Sequence, residues 1–284
     1  LIVKLFELKF DPGLQKISAK EFNRQLKLVF QALNSVPSLD EDRIFRKYVD
    51  LVRATLRTNY FQNDEDGFPK LYLSFKIDCK NLADVPIPRP HVEVFVHSTK
   101  VDAVHLRGGK VSRGGIRWSD RIEDFRTEIL GLMKSQMTKN AIIVPVGAKG
   151  GFIVKKQLIF KGDQAPLEAG IMCYTIFMRG LLDITDNLKG NRVSHPKNVV
   201  CYDDDDPYLV VAADKGTAKF SDIANSVSEE YGFWLGDAFA SGGSEGYDHK
   251  TIGITARGAW EAVKRHFREL GIDVMAMPFT CVGI

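Results

Sequence analysis

The alternation of apolar and polar residues predicts a mixture of helices and strands in the first part of the chain. Two Ser-x-x-Glu capping boxes begin at Ser18 and Ser38, and in each the hydroxyl and the carboxylate can satisfy free amides at the start of a helix. We therefore predict a helix after each serine, the second extending to about residue 58. Residues 1–10 are rich in apolar side chains and predict a strand, and the alternation over residues 71–77 predicts a second, half-buried strand.

The rest of the chain alternates strands with helices. Strands are predicted at residues 92–96, 101–106, 141–146, 199–200 and 208–213, and helices at residues 120–139, 167–183, 220–239 and 255–270. This alternation is typical of an α/β sheet with helices on its faces. The prolines of VPIPRP, residues 85–90, mark either a connector between an N-terminal region and this α/β part or a loop inside one domain.

The composition is that of an ordinary globular protein. Of the 284 residues, 44% are apolar and 26% are charged. The formal net charge of +3 is too small to indicate binding to nucleic acid or to a membrane surface. The four cysteines show no CxxC spacing, which predicts free thiols in a reducing compartment. The sequence contains neither a signal peptide nor an apolar run near the roughly 20 residues of a membrane span, so we expect a cytoplasmic location.

No metal site is predicted. The six histidines show no HxxxH or other spacing typical of metal ligands. The acidic run at residues 203–206 precedes Pro207, a pattern that is more typical of a solvated turn than of a cation site.

One stretch, residues 113–151, carries the candidate chemistry. It begins with a glycine pair between two arginines, continues through a helical segment to Lys139, and reaches an apolar strand followed by Lys149 among glycines. Glycines let a backbone approach a ligand closely, and a lysine in a Gly-rich bend at a strand end lies where α/β proteins bind ligands. We predict that Arg113, Lys139 and Lys149 converge on one small site, which suits an acidic substrate.

Taken singly, these residues have simpler interpretations. The Lys149 segment could be a plain tight turn with a solvated lysine, since isolated Gly-rich motifs are weak signals. It is not a phosphate-binding P-loop, because no Ser or Thr follows the lysine. Lys139 could be a cation at a helix C-terminus, and Asp214 could cap the turn that follows it.

The motifs as a set resemble a known family. They are RGGIR, QMTKNA, PVGAKGG, AADKGTAKFSD and GFWLGDAFASGGSEGYDHKTIGITARGAW. In this order they resemble the glutamate dehydrogenases, most closely the large NAD-specific type found as very long chains. The resemblance covers nearly the whole chain. It implies a substrate-binding domain with a mixed sheet flanked by helices, preceded by an α+β region.

The resemblance also implies roles for individual residues. The reaction would be the oxidative deamination of glutamate to 2-oxoglutarate and ammonium. Lys149 matches the catalytic lysine, which activates the water that attacks the imino carbon, and Asp214 matches the acidic residue that exchanges protons with the amine. Lys139 and Gln136 match positions that hold the substrate α-carboxylate. Arg113 stands where shorter enzymes have a lysine for the side-chain carboxylate, a role that a bidentate guanidinium can keep.

Three domains and the cofactor follow from the same resemblance. We expect an accessory region over residues 1–90, the catalytic substrate-binding domain over residues 91–250, and the start of a truncated Rossmann-type NAD-binding domain over residues 251–284. Thr255 matches a nucleotide-contacting threonine, and NAD is the expected cofactor. No GxG occurs in the chain, so we expect a fragment that is inactive alone, from a parent that forms a homo-oligomer.

The sequence departs from the pattern of the shorter enzymes at two points, and two other functions are alternatives to glutamate oxidation. The loop has one glycine fewer than the PxGGxKGG of shorter enzymes, and Trp-Ser-Asp follows Arg117 in place of an aromatic-His-Pro segment. One alternative is a related amino-acid dehydrogenase with another, apolar substrate, which the guanidinium of Arg113 disfavours. The other is a regulatory or assembly module that binds an anion without catalysis.

Overall fold

The computed structural model describes most of the chain as two compact units. The described residues are 1–14, 17–82, 84–137, 146–155, 165–244, 246 and 251–280. The first unit is Leu1–Gly243 and the second is Ser244–Ile284.

Three helices open the first unit: α1 (Ile2–Phe10), α2 (Ala19–Leu33) and α3 (Leu39–Ala54). The hydroxyls of Ser18 and Ser38 accept the backbone amides three residues on, as the capping boxes predict. The predicted strand at residues 1–10 is wrong, because that segment is α1. Its apolar residues fall at helical spacing, so that Leu5 can pack with Val29 and Val49 in a small core of its own.

The strands and the remaining helices follow in chain order. The strands are β1 (Thr55–Thr58), β2 (Tyr72–Asp78), β3 (Val92–Ser98), β4 (Val101–Arg107), β5 (Ser112–Trp118), β6 (Val146–Val154), β7 (Asn187–Lys189), β8 (Arg192–Ser194), β9 (Val210–Ala213) and β10 (Ala240–Ser241), and the helices are α4 (Phe125–Met137), α5 (Ala165–Leu182), α6 (Ser221–Glu230) and α7 (Ile254–Glu269). Short 3-10 helices occur at Cys79–Asn81 and Gly236–Ala238.

Eight strands form one mixed sheet, which confirms the α/β prediction. Their order is β1-β2-β3-β4-β6-β5-β9-β10, and β7 and β8 form a separate hairpin. The strands from β1 through β4 to β6 pair antiparallel, whereas β5, β9 and β10 run parallel to β6. The α+β segment and the α/β segment thus contribute strands to the same sheet.

Helices cover both faces of this sheet. On one face, α5 and α6 pack against Ala103, Ile116 and Phe152 in the largest apolar core. On the other face, α4 packs against Val104 and Leu106. Side chains of successive strand residues point to opposite faces of a sheet. Each strand residue therefore lies either on the face that α4 covers or on the face that α5 covers.

Several predicted boundaries differ from the observed ones. Residues 113–118 were not predicted as a strand, since a glycine pair weakens the strand signal, yet they lie in β5. Residues 199–200, predicted as the start of a strand, lie outside the named strands, and the next strand is β9. The helix predicted over residues 220–239 ends at Glu230, and Gly232 follows with φ +55°. The helix predicted to about residue 58 ends at Ala54 and continues directly as β1.

The second unit contains α7, which confirms the helix predicted at residues 255–270. The chain turns after it at Gly271, whose φ of +74° is a left-handed conformation that glycine adopts readily. Among the described residues of both units, no helix combines the length and the apolar character needed to span a membrane.

Candidate functional site

Lys149 lies within strand β6 on the face of the sheet that α4 covers. It is level with Leu106 of β4, which packs against α4, so the two side chains share that face. The prediction of a lysine in a Gly-rich bend is therefore wrong in its local structure. The neighbouring glycines serve close packing inside a strand: a Cβ at Gly151 would lie 2.4 Å from the side chain of Ile129 on α4.

Asp214 meets Lys149 from the far side of β5. It directly follows β9, which pairs with β5, and one of its carboxylate oxygens lies 2.5 Å from Nζ of Lys149. Both side chains are largely buried, with 12% exposed for Lys149 and 17% for Asp214. Gly115 of β5 makes room for the pair, because a Cβ there would lie 2.9 Å from the Cβ of Asp214.

A second cation holds the other oxygen of Asp214. Nη2 of Arg117 lies 3.4 Å from Oδ1 of Asp214, and Nη1 of the same guanidinium donates to Glu128 at 2.8 Å. Ser119 donates its hydroxyl to the other oxygen of Glu128 at 2.6 Å. Charges of alternating sign therefore run from Lys149 through Asp214 and Arg117 to the first turn of α4.

This environment keeps Asp214 ionised. Burial alone would raise the pKa of its carboxyl group, but the contact with Lys149, the amide of Lys215 and the guanidinium of Arg117 outweigh burial and lower that pKa below its ordinary value. Arg117 lies inside the RGGIR motif, but nothing in the motif shows which carboxylate it pairs with.

Arg113 lies on the same face of the sheet, two residues before Gly115 on β5. It is exposed, and its Nη2 donates to Oγ of Ser241 at 2.7 Å. Ser241 belongs to β10, the outermost strand, so the arginine side chain reaches over β9 to meet it. Ser241 lies inside the last of the family motifs, but nothing in the sequence links it with Arg113, 128 positions away.

Gln136 contributes from the last turn of α4. A Cβ at Gly147 would lie 2.6 Å from its Oε1, so the amide packs directly against β6, two residues before Lys149. This oxygen is buried and has no hydrogen-bond partner among the described residues. An unpaired acceptor at this position is available to a donor group of a ligand.

Two further predicted site residues stand apart. Lys139 and most of the strand predicted at residues 141–146 lie outside the described residues. Thr255 lies in the first turn of α7, in the second unit. The structure therefore brings Lys149 and Asp214 into contact and places Arg113 and Gln136 on the same face of the sheet.

A separate buried ion network occupies the acidic run. Asp206 is 4% exposed and accepts from Arg107 at 2.6 Å and from Lys76 at 2.7 Å. Asp203 accepts from Arg57 and Lys76. The interpretation of residues 203–206 as a solvated turn is therefore wrong for these two aspartates, which neutralise buried cations, and Asp204 is 91% exposed.

The same network includes a group of metal-type ligands. Asp186, His195 and Cys201 bring ligand atoms within 4.8 Å of one another. Both oxygens of Asp186, however, accept from the fully buried guanidinium of Arg57, at 2.7 and 3.0 Å. A permanent positive charge against this carboxylate opposes a metal cation, so we assign the group to the ion network.

Taken together, a buried lysine–carboxylate pair beside an exposed arginine, on one face of a mixed sheet, is a site of the kind found in α/β enzymes. Comparison with known proteins identifies the family. The family model described as bacterial NAD-glutamate dehydrogenase, catalytic domain, matches residues 28–284. The chain belongs to this family.

Curated relatives agree with this assignment along the whole chain. Proteins named NAD-specific glutamate dehydrogenase are 56% identical in Halomonas elongata, 58% in Pseudomonas aeruginosa and 54% in Mycobacterium tuberculosis. Each match covers 100% of this chain but 18% of the relative. The chain thus spans under one fifth of the length of the relatives it matches.

A solved structure gives a more distant likeness. The hetero-hexameric glutamate dehydrogenase from Thermus thermophilus, in a Leu-bound form, superposes with a TM-score of 0.37 at 15% identity. The match covers 81% of this chain and 49% of that one.

Proposed function

We propose that this chain carries the glutamate site of an NAD-dependent dehydrogenase that converts L-glutamate to 2-oxoglutarate and ammonium in glutamate catabolism. The contact between Lys149 and Asp214 is the observation that supports it most. A lysine and a carboxylate within proton-transfer distance, in a largely buried setting, provide the acid–base groups that deamination requires.

The two residues have separate tasks in this proposal. After passing its own proton to the carboxylate of Asp214, Lys149 takes a proton from the water that attacks the imino carbon of the oxidised substrate. Asp214 exchanges protons with the substrate amine. Bound NAD would supply the acceptor for the hydride that the substrate loses. Burial of both side chains limits competing water and strengthens their electrostatic interaction with the substrate.

The substrate carboxylates have candidate partners on either side of this pair. We propose that the side-chain N–H groups of Gln136 and the ammonium group of Lys139 donate to the α-carboxylate, with Lys139 placed there by the family resemblance. Arg113 binds the side-chain carboxylate, because its exposed guanidinium can pair with it in bidentate fashion. Glutamate and 2-oxoglutarate, which share both carboxylates, would occupy the same site.

We propose that Thr255 contacts NAD. It stands in the first turn of α7, and the amides at a helix N-terminus favour an anionic group such as a phosphate. The chain has no glycine-rich dinucleotide loop. We propose that residues 251–284 are the start of an NAD-binding domain, and that residues 1–90 are an accessory region which shares one sheet with the substrate-binding residues 91–250. We also propose that the parent protein is a homo-oligomer and acts in the cytoplasm.

Calorimetric titration of 2-oxoglutarate into this chain tests the binding site. We expect binding by the wild type, weaker binding by Arg113→Ala and Lys149→Ala, and no NADH production from glutamate and NAD. Arg121→Ala and Lys215→Ala are matched controls, because both side chains are exposed and pair with other carboxylates. Equal binding by all five proteins would contradict the proposed site.

Turnover must be measured on a longer protein. In a polypeptide of the full length of the relatives, glutamate and NAD should give NADH, and Lys149→Ala should abolish it. A full-length protein that binds 2-oxoglutarate through Arg113 but forms no NADH would favour the anion-binding module without catalysis.

A further inference from the structure

The two oxygens of the Asp214 carboxylate have different partners. Oδ2 lies 2.5 Å from Nζ of Lys149 and accepts from no other residue that the structure describes. Oδ1 accepts the backbone amide of Lys215 at 2.7 Å and faces Nη2 of Arg117 at 3.4 Å. Oδ1 therefore anchors the carboxylate, whereas Oδ2 is the oxygen that can exchange a proton with Lys149.

The contact between Arg117 and Asp214 is half of a bidentate pair. An arginine commonly meets a carboxylate with two parallel N–H···O bonds, one to each oxygen. Arg126 and Glu93 pair in this way, through Nε at 2.7 Å and Nη2 at 2.6 Å. In Arg117, Nη2 approaches Asp214, but Nε on the same side of the guanidinium is buried and donates to no described residue. A full pair would bring Nε onto Oδ2 and displace Lys149.

Glu128 holds Arg117 away from that full pair. Its Oε1 accepts Nη1 of Arg117 at 2.8 Å, and this bond opposes a rotation that would turn Nε towards Asp214. Glu128 is itself held by Ser119, which donates its hydroxyl to Oε2 at 2.6 Å and its amide to the carbonyl of Phe152 at 2.9 Å. Phe152 belongs to β6, so this side chain of α4 is tied to the strands of the site.

Glu128 carries its charge in this setting. Burial raises the pKa of its carboxyl group, but the hydrogen bonds from Ser119 and Arg117 and the nearby charge of Arg121 outweigh burial and lower that pKa below its ordinary value. The guanidinium of Arg121 is bound to Asp124. Arg117 is therefore the cation that Glu128 holds.

We propose that Glu128 is a positioning residue, which occupies one arm of Arg117 and so keeps Oδ2 of Asp214 available to Lys149. This inference rests on the proposed function, in which Lys149 passes a proton to Asp214. In that step an N–H bond of Lys149 breaks, an O–H bond forms on Oδ2, and both side chains become neutral. A carboxylate held at both oxygens by a guanidinium accepts this proton less readily, because the bidentate contact stabilises its charged form.

The loss of Glu128 should change the pKa of Asp214 in a defined direction. Burial raises that pKa, whereas Lys149, the amide of Lys215 and Arg117 lower it. Glu128→Met removes a negative charge near Asp214 and frees Arg117 to pair with both oxygens. Both effects favour the ionised carboxylate, so the pKa of Asp214 falls further. Arg117→Met has the opposite effect, because it removes the cation.

The test is the pH dependence of glutamate oxidation by the full-length enzyme. In Glu128→Met we expect the acid limb of the kcat/KM profile to move down by about 1 on the pH scale, whereas in Arg117→Met it moves up. We expect kcat of Glu128→Met to fall about tenfold, because Asp214 accepts the proton of Lys149 less readily. Its KM should stay within about twofold of the wild-type value, because Glu128 acts on the acid–base pair and not on the substrate. The double variant should follow Arg117→Met, since Glu128 acts through Arg117.

Two further variants serve as controls. Glu128→Gln keeps an acceptor for Arg117 without the charge, so it should show a smaller downward shift, and it tests the inference even if Glu128→Met unfolds. Glu123→Met removes an exposed glutamate just before α4 and should leave the profile in place. Circular dichroism measures the fold of each variant.

The outcomes separate this inference from the proposed function. If the acid limb stays fixed or moves up in both Glu128 variants, while Lys149→Ala has lost activity, Glu128 does not position Arg117 and the proposed function stands. If Lys149→Ala oxidises glutamate like the wild type, the proposed function fails, and the role of Glu128 fails with it.

Discussion

The amine of Lys149 lies 2.5 Å from a carboxylate oxygen of Asp214, although strand β5 separates the strands that deliver them. The contact is possible because Gly115, the residue of β5 between them, has no side chain. Each member of the pair offsets the charge of the other where water has little access.

Removing either member of the pair should slow catalysis strongly without unfolding the chain. We expect Lys149→Ala and Asp214→Asn to lower kcat of the full-length enzyme by about 10²–10⁴, the usual contribution of a positioned acid or base. Absorbance of NADH measures the rate, and circular dichroism measures the fold. Lys215→Ala is the control, because this neighbouring lysine is 64% exposed and pairs with Asp120. A variant of Lys149 with full activity would exclude it as the base.

Gly115→Ala should damage the site through geometry alone. The new methyl group would lie 2.9 Å from both the carbonyl oxygen of Ala213 and the Cβ of Asp214, so Asp214 must move. A displacement of about 1 Å at a catalytic group can cost about 10² in rate, and we expect a loss of that size in kcat.

Gly131→Ala is the matched control for Gly115→Ala. This glycine lies inside α4 with open space around it, so alanine should raise the free energy of unfolding by about 0.5–1 kcal/mol and leave kcat unchanged. Urea unfolding and steady-state rates measure the two effects. Equal rates for both variants would show that Gly115 does not set the position of Asp214.

Arg117→Met should change the pH dependence of the reaction. The guanidinium is one of the groups that hold the pKa of Asp214 below its ordinary value, so its loss raises that pKa. Protonation of Asp214 then begins at higher pH, and the acid limb of the kcat/KM profile should move upward. Arg121→Met, which removes an exposed guanidinium bound to Asp124, should leave the profile in place. An acid limb that stays fixed in Arg117→Met would rule out control of Asp214 by Arg117.

Asp206→Asn should destabilise the fold and alter its response to acid. Burial alone would raise the pKa of Asp206, but Arg107 and Lys76 outweigh burial and lower it to about 2 from 3.8. Since the folded pKa lies below the unfolded one, the ionised carboxylate stabilises the fold above pH 3.8, and that contribution of about 2 kcal/mol is lost as the pH falls towards 2.

The variant leaves two buried cations without their shared partner. We expect the free energy of unfolding at neutral pH to fall by about 3–5 kcal/mol, and its decline between pH 4 and pH 2 to become shallower. Urea unfolding at several pH values measures both. Asp204→Asn should change the free energy of unfolding by less than about 0.5 kcal/mol, because its side chain is 91% exposed. A similar loss in both variants would contradict this account of the network.

The sequence predicted the family and the α/β sheet of this molecule better than its local geometry. Lys149 and Asp214 could be found because each lies in a motif that resembles a known family. The strand around Lys149 could not be predicted, because glycines in a short sequence are typical of a bend. The packing of α4 against these glycines shows that they lie in a strand. The sequence predicts a strand where helix α1 lies, because a short run of apolar residues fits the spacing of a strand and that of a helix equally well. The residues that α1 packs against, which distinguish the two, lie far along the chain.

The remaining site residues depend on pairings between distant segments. Glu128 lies outside the motifs, and Ser241 lies inside one that does not show its contact with Arg113; each contact follows from the residue that the side chain faces. Asp206 likewise resembles any residue of an acidic turn until Arg107 and Lys76 are seen beside it. Local sequence does not encode such contacts, because they arise from the order of strands in the sheet.

That order of strands also sets how the site is assembled. Lys149 and Asp214 are brought together once β6, β5 and β9 have paired, and Arg113 meets Ser241 on β10, the last strand of the sheet in both sequence and space. Parallel pairings between distant segments carry a large loop-closure cost and form slowly. β9 is far closer in sequence to β10 than to β5, so the slow step is the pairing of β9 with β5, and that one pairing completes both the Lys149–Asp214 contact and the Arg113–Ser241 contact.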